Sequence, residues 1–357
     1  MEYENLILQQ LEQLDLSSLY QIAGMVQEHA QVSVLSGLRE LIAGLFSGEI
    51  SFSGQVFLHQ GLLLFFRQVQ QSLSTCSRVL AVCVLAGLLN NVASSFGKEA
   101  VSRVGNTICL LIVATACAGD FIETYRYCRE SMELMIVAVQ SLFPIMLPLL
   151  LASGKTVAGA VLNPAILGVI AMISSVMDRY ILPAVFLSCS LCIAGRMTEQ
   201  GFLNRAGGLL KDITVFAVGL TVTVLSAFTA VQGTMGKTAD SLLLKTARFS
   251  VDNFIPLIGG FAADSMDMVL SCTTTIKNAV GLWGVLLLVV ALLFPLLKMA
   301  AIVFVYRAGA VLADALSGKL ISSCLEDIAS AVTTLAVIYT LMGILFIVFV
   351  STLTALV

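Results

Sequence analysis

The chain has 357 residues, of which 58% are hydrophobic and only 11% are charged. Soluble domains carry about 25% charged residues, so a chain this long with so few excludes an ordinary water-soluble surface, and a mean hydropathy of +0.98 favours a bilayer-embedded bundle. The formal net charge of −3 gives no basic field of the kind nucleic-acid binding needs.

The first 75 residues read differently from the rest. Met1 is followed by Glu2 and Glu4 rather than a basic segment and an apolar core. Either the first span is an uncleaved insertion signal or a leader has been removed. Ile7, Leu11, Leu14, Leu19, Ile22 and Val26 recur at helical spacing among Gln, Glu and Asp, and Val34, Leu38, Leu41 and Leu45 repeat the pattern up to Gly48. This spacing predicts amphipathic helices rather than spans. A third stretch, 56–73, holds the block Leu62 to Phe66 but also Gln68, Gln70 and Gln71, which predicts a helix lying along the interface. We therefore divide the chain into an amphipathic helical region at 1–75 and a polytopic domain at 76–357. Acids outnumber Arg39 and Arg67 in the first region, compatible with a non-cytoplasmic location. His29 and His59 lie there too, and no histidine neighbours a Ser or Cys nucleophile, so a histidine-based triad has no support.

A membrane helix needs about 20 mostly apolar residues to cross about 30 Å of hydrocarbon. In chain order, the apolar runs are 79–97, 104–119, and 134–154 with Pro144 and Pro148 inside it. Next comes 156–195, interrupted only by Asp178-Arg179. It reads either as two short helices turning at Asp178-Arg179-Tyr180 or as one long tilted helix with a buried ion pair, and the turn is preferred because a span of about 40 residues would far exceed the bilayer. The runs 213–236, 278–297, 300–316 (after a kink or turn at Pro295 and Lys298) and 328–357 complete the series. The predicted fold class is all-α: a polytopic helical membrane protein of about seven or eight spans. Cys189 and Cys192 match C-x-x-C, but they lie between Phe186-Leu187 and Ile193-Ala194. Redox or zinc chemistry needs an accessible polar setting or further ligands, so small buried helix residues are the expectation. An odd total of nine cysteines at irregular spacing describes no disulfide framework.

The segment 237–278 is too polar to span and too apolar for a free loop. It contains Asp252, Asn253, Pro256, Gly259, Gly260, Asp264, Asp267, Lys277 and Asn278. Pro256 and Gly259-Gly260 interrupt a helix there. Two readings stand side by side: a re-entrant segment lining a pathway or docking site, and an interfacial amphipathic hairpin. Asp252, Asn253, Pro256, Gly259, Gly260, Asp264, Lys277 and Asn278 are the candidate contacts to a partner or conduit. Asp264 and Asp267 share a helix face, read as solvated rather than as a cation site. No nucleophile–base pair, cofactor motif or metal cluster is visible, so an enzyme, a cofactor and a bound metal are not expected. Small residues spaced by four, Gly44/Gly48 and Gly309/Ala313, allow close helix approach in a bundle or a homo-oligomer.

The run 250–260, Ser-Val-Asp-Asn-Phe-Ile-Pro-Leu-Ile-Gly-Gly, and the run 275–284, Thr-Ile-Lys-Asn-Ala-Val-Gly-Leu-Trp-Gly, resemble the core of the stage III sporulation protein AE family. Pro295-Leu296-Leu297-Lys298 and the plan of an amphipathic N-terminal region before a polytopic domain fit as well. The resemblance implies a subunit of the export-like complex between mother cell and forespore in endospore-forming bacteria. It implies a location in the mother-cell-derived membrane around the forespore. It also implies partners among the other membrane proteins of the stage III sporulation operon and a forespore-side protein. No catalytic residues come with it. The rival expectation is a secondary transporter, with the interruptions around Pro144/Pro148 and Pro256/Gly260 as broken helices.

Overall fold

The computed structural model describes residues 17–30, 54–95, 99–152, 168, 170–197, 201–224, 226–227, 259–317 and 319–355, all of them helical. A short amphipathic helix, α1 (Ser17–Ala30), comes first. It is followed by α2 (Gly54–Ser95) and α3 (Glu99–Ala152). A helical run at 170–176 passes through a π turn, Met177–Ile181, into α4 (Leu182–Met197). Then come α5 (Gly201–Val224), α6 (Gly259–Ser317) and α7 (Lys319–Ala355). Six stretches are long and apolar enough to cross a membrane: Gly61–Leu88, Thr107–Ala152, Ile170–Arg196, Gly201–Val224, Ser271–Leu316 and Lys319–Thr354. The protein is an all-α polytopic membrane protein, with six such stretches among the described residues rather than seven or eight.

The count falls because apolar runs that read separately in the sequence join. The runs 104–119 and 134–154 both fall on α3, bridged by the charged stretch Asp120 to Glu133. Of the kink or turn expected at Pro295 and Lys298, the turn does not occur: α6 continues through both to Ser317. A proline inside a helix leaves the carbonyl four residues earlier without its N–H partner. Here that carbonyl belongs to Ala291, and the Tyr339 hydroxyl of α7 donates to it at 2.5 Å. Supplied from outside, the missing bond lets the helix run on. The expected turn at Asp178-Arg179-Tyr180 is likewise a π turn within one helical run. Its extra residue leaves Met177 and Ile181 buried and pushes the three polar residues between them outward. The stretch 56–73, expected to lie along the interface, is the first half of α2, whose helix continues past residue 75 to Ser95, and most of it falls within the membrane-competent stretch Gly61–Leu88.

Close approaches fix the directions of the helices. A methyl group at Gly281 would collide with Thr354, and one at Gly343 would sit 2.4 Å from Leu292, so α6 and α7 are antiparallel. Leu142 against Gly284 and Tyr306 against Asp120 make α3 antiparallel to α6 as well. Gly61 beside Leu297, and Gly87 beside the carbonyl of Leu316, set α2 parallel to α6. The core runs along α3, α6 and α7 and includes Met135, Leu142, Trp283, Leu288, Leu335 and Tyr339. Onto it α1 docks through Ile22, Ala23 and Val26, with the Tyr20 ring edge-on to Trp283 at 6.2 Å.

Candidate functional site: a charged cleft between helices

Three helices carry polar residues at one height of an otherwise apolar bundle. On α2 these are Arg67, Gln68, Gln71, Ser72 and Arg78; on α3, Asp120, Glu123, Thr124 and Tyr127; on α6, Lys298. They line two adjoining cavities of about 220 Å³ and about 110 Å³ that share Gln68, Gln71, Tyr127 and Lys298. The larger holds the carboxylates Asp120 and Glu123 with Arg78. The smaller holds Arg67, Lys298 and His29, and no carboxylate. With Lys298 shared, positive charge is in excess at the smaller end, and at the larger end Arg78 and Lys298 balance the two carboxylates.

Each side chain has a structural reason for its position. The Lys298 ammonium lies 3.9 Å from the centroid of the Tyr127 ring, a cation–π contact. The ring's other partner is His29 of α1, stacked at 4.6 Å and 11°. The Ser131 hydroxyl donates to the Tyr127 carbonyl at 2.8 Å, which uses its one hydrogen. It therefore accepts from His29 at 2.8 Å, and the geometry assigns the imidazole hydrogen to Nε2. Burial holds the His29 pKa below its usual value, opposed by Glu130 and reinforced by Lys298. At the far end, the Tyr306 hydroxyl donates to Asp120 at 2.8 Å, tying α6 to α3.

A second polar group lies between α4, α5 and α7. Arg196 clamps Asp327 through two bonds of 2.9 and 3.3 Å. Lys211 donates to Ser330 at 2.6 Å, and a cavity of about 210 Å³ separates these pairs. Cys189 and Cys192 line that cavity; Cys189 is buried and Cys192 half-buried, and both are free thiols. Ser188 donates to the Gly207 carbonyl at 2.7 Å, where α4 and α5 come too close for any side chain at position 207.

The residues singled out in the sequence lie elsewhere. Asp252, Asn253 and Pro256 fall outside the described residues. Gly259, Gly260 and Asp264 form the start of α6, and Lys277 and Asn278 follow on the same helix. Lys277 is buried and Asn278 exposed. Lys277 precedes Lys298 by about 31 Å of helix at 1.5 Å per residue, so the two do not share a site. The signal for the cleft was present as Gln68 and Gln71 inside an apolar run and as the charges from Asp120 onward. It needed the register between helices to become a site. Among the described residues, no three His, Cys, Asp or Glu side chains are grouped to hold a metal ion.

These features define a class: a polytopic helical membrane protein with a charged cleft inside its bundle. Residues 36–356 match the family described as stage III sporulation protein AE, and the chain belongs to that family. It is 30% identical over 289 residues to the stage III sporulation protein AE of Bacillus subtilis (strain 168), covering 80% of this chain and 72% of that protein. No solved structure matches it.

Proposed function

We propose that the protein is an integral membrane subunit of the export-like channel complex linking mother cell and forespore, acting as a platform or permease-like component. Its membrane is the mother-cell-derived one around the forespore. Its partners are the other membrane proteins of the stage III sporulation operon and a forespore-side protein. The observation that carries this reading is the family match over 36–356, a range that contains all six membrane-competent stretches. In this reading the segment 237–278 contacts partners or the conduit. The deciding experiment replaces the chromosomal gene in the spore-former with Pro256→Leu or Gly259→Leu variants. Membrane-fraction levels stay at wild type while spore yield and late forespore gene expression fall at least tenfold. Wild-type spore counts from both variants would remove the role assigned to that segment. A strain lacking the gene entirely yet sporulating normally would remove the subunit role itself.

A second reading, a secondary transporter, is favoured by the cleft. Ionisable residues within membrane helices commonly mark solute or ion paths. Solute uptake by proteoliposomes holding this chain alone would favour it over the subunit role.

A further inference from the structure

The chemistry of the cleft specifies a ligand class that the subunit role does not. At its narrow end, neither Lys298 nor Arg67 has a carboxylate within 4 Å among the described residues, although Glu123 and Glu130 lie near enough to act on Lys298. The Lys298 ammonium has a π face for a neighbour, and two of the cavity's other walls are the amides of Gln68 and Gln71. An ammonium held this way keeps donors available for an anionic oxygen. At the wide end, which Arg78 and Lys298 also line, Asp120 is engaged by Tyr306, while Glu123 is exposed and lies close enough to Lys298 to act on its charge. A purely anionic ligand would meet Asp120 and Glu123, and a purely cationic one Arg67, Arg78 and Lys298, so a ligand carrying both charges matches the lining best. The cavities together reach the lower end of small-ligand pockets, which run about 300–1,000 Å³. Arg67, Arg78 and Glu123 are exposed, so the cleft opens at the side of the bundle.

We propose that this cleft binds a small zwitterion, its oxyanion at Lys298 and Arg67 and its ammonium at Glu123 and Asp120. The inference goes beyond the channel role and stands independently of it. The same pair of charges occurs in a free amino acid and in the headgroup of phosphatidylethanolamine, and the experiment separates them. Purified full-length protein is titrated calorimetrically with L-alanine and with phosphoethanolamine. In parallel, it is reconstituted in phosphatidylglycerol nanodiscs with and without phosphatidylethanolamine, and thermal unfolding is followed. The variants are Lys298→Gln, Arg67→Gln and Glu123→Gln. The last two change exposed side chains and leave folding intact, which size-exclusion checks. Saturable binding of either soluble probe, weakened at least tenfold in Arg67→Gln and Glu123→Gln, assigns a free solute. Stabilisation by phosphatidylethanolamine alone, lost in the same variants, assigns the lipid headgroup. Binding equal in wild type and variants, or no response in either arm, overturns the proposal.

Discussion

His29 shows how one side chain ties the amphipathic N-terminal region to the bundle. Its ring stacks on Tyr127, its Nε2–H reaches Ser131, and Ile22 and Val26 bury the same helix face. Because burial depresses its pKa in the folded protein, the unfolded chain binds the proton more readily. The contribution of His29 to docking is therefore complete above its ordinary value of 6.5 and declines as pH falls through the lowered native value. We predict that amide exchange of residues 17–30 accelerates relative to the core of α6 between about pH 8 and about pH 5. The difference should disappear in His29→Gln, which still bonds Ser131. A pH effect of equal size in that variant would assign it to Glu130 or another neighbour. In the sequence His29 was one polar residue on an amphipathic helix. Nothing local distinguishes it from a solvated one, because its partners lie 98 and 102 positions away on α3.

Helix by helix, the continuity of α6 depends on a bond that helix propensity does not encode. Pro295 removes the N–H that would serve Ala291, and Tyr339 of the antiparallel neighbour replaces it. Leaving a buried carbonyl unpaired costs about 1–3 kcal/mol. We predict a loss of that order in Tyr339→Phe. In a Pro295→Ala background, where the helix satisfies its own carbonyl, the same change should cost less than about 1 kcal/mol. The double-mutant cycle is measured by thermal or denaturant unfolding in detergent. Equal costs in both backgrounds would mean that the hydroxyl does not serve the orphaned acceptor. The same logic explains why Pro295 and Asp178-Arg179 predicted breaks. Read locally, each interrupts a helix. In place, Pro295 is rescued from α7, and Asp178 meets Arg129 of α3 at 3.2 Å across an exposed π turn. That pair is half exposed on both sides and contributes little stability; its role is to allow the charges at that position.

For the whole molecule, helix length and charge together fix where lipid ends. At 54 residues α3 is about 81 Å long, far beyond about 30 Å of hydrocarbon. Glu123, Arg126, Arg129, Glu130 and Glu133 are exposed midway along it. Each such charge at the bilayer centre would cost about 2.5–3.5 kcal/mol. This belt therefore faces water, a headgroup layer or a partner, and the runs to either side of it differ in their surroundings. We predict that a membrane-impermeant maleimide labels Arg126→Cys in intact membrane vesicles well above the wild-type baseline, whose cysteines are buried or half-buried. Val348→Cys, also exposed on the bare bundle but within an uncharged run of α7, should stay at that baseline. Comparable labelling at both positions would displace the belt from the boundary assigned to it.

The amino-acid order alone determined the all-α membrane class, because uncharged runs of bilayer length leave the backbone no solution but hydrogen bonds within each helix. It also carried a resemblance to the family, read at 250–260 and 275–284, and the family match runs over 36–356. It did not determine how many times the chain turns back, since Pro295 and the charges at Asp178 and Asp120 to Glu133 end a helix or pass through one according to what stands opposite. Nor did it show the cleft. Lys298, Tyr127, Gln68 and His29 come from four helices, and only antiparallel packing of α3 on α6, with α2 parallel and α1 laid across, brings their polar atoms to one height. Tertiary structure decided these matters because the energy of a buried polar group belongs to the pair it forms, and the partner's position is set by packing rather than by sequence neighbours.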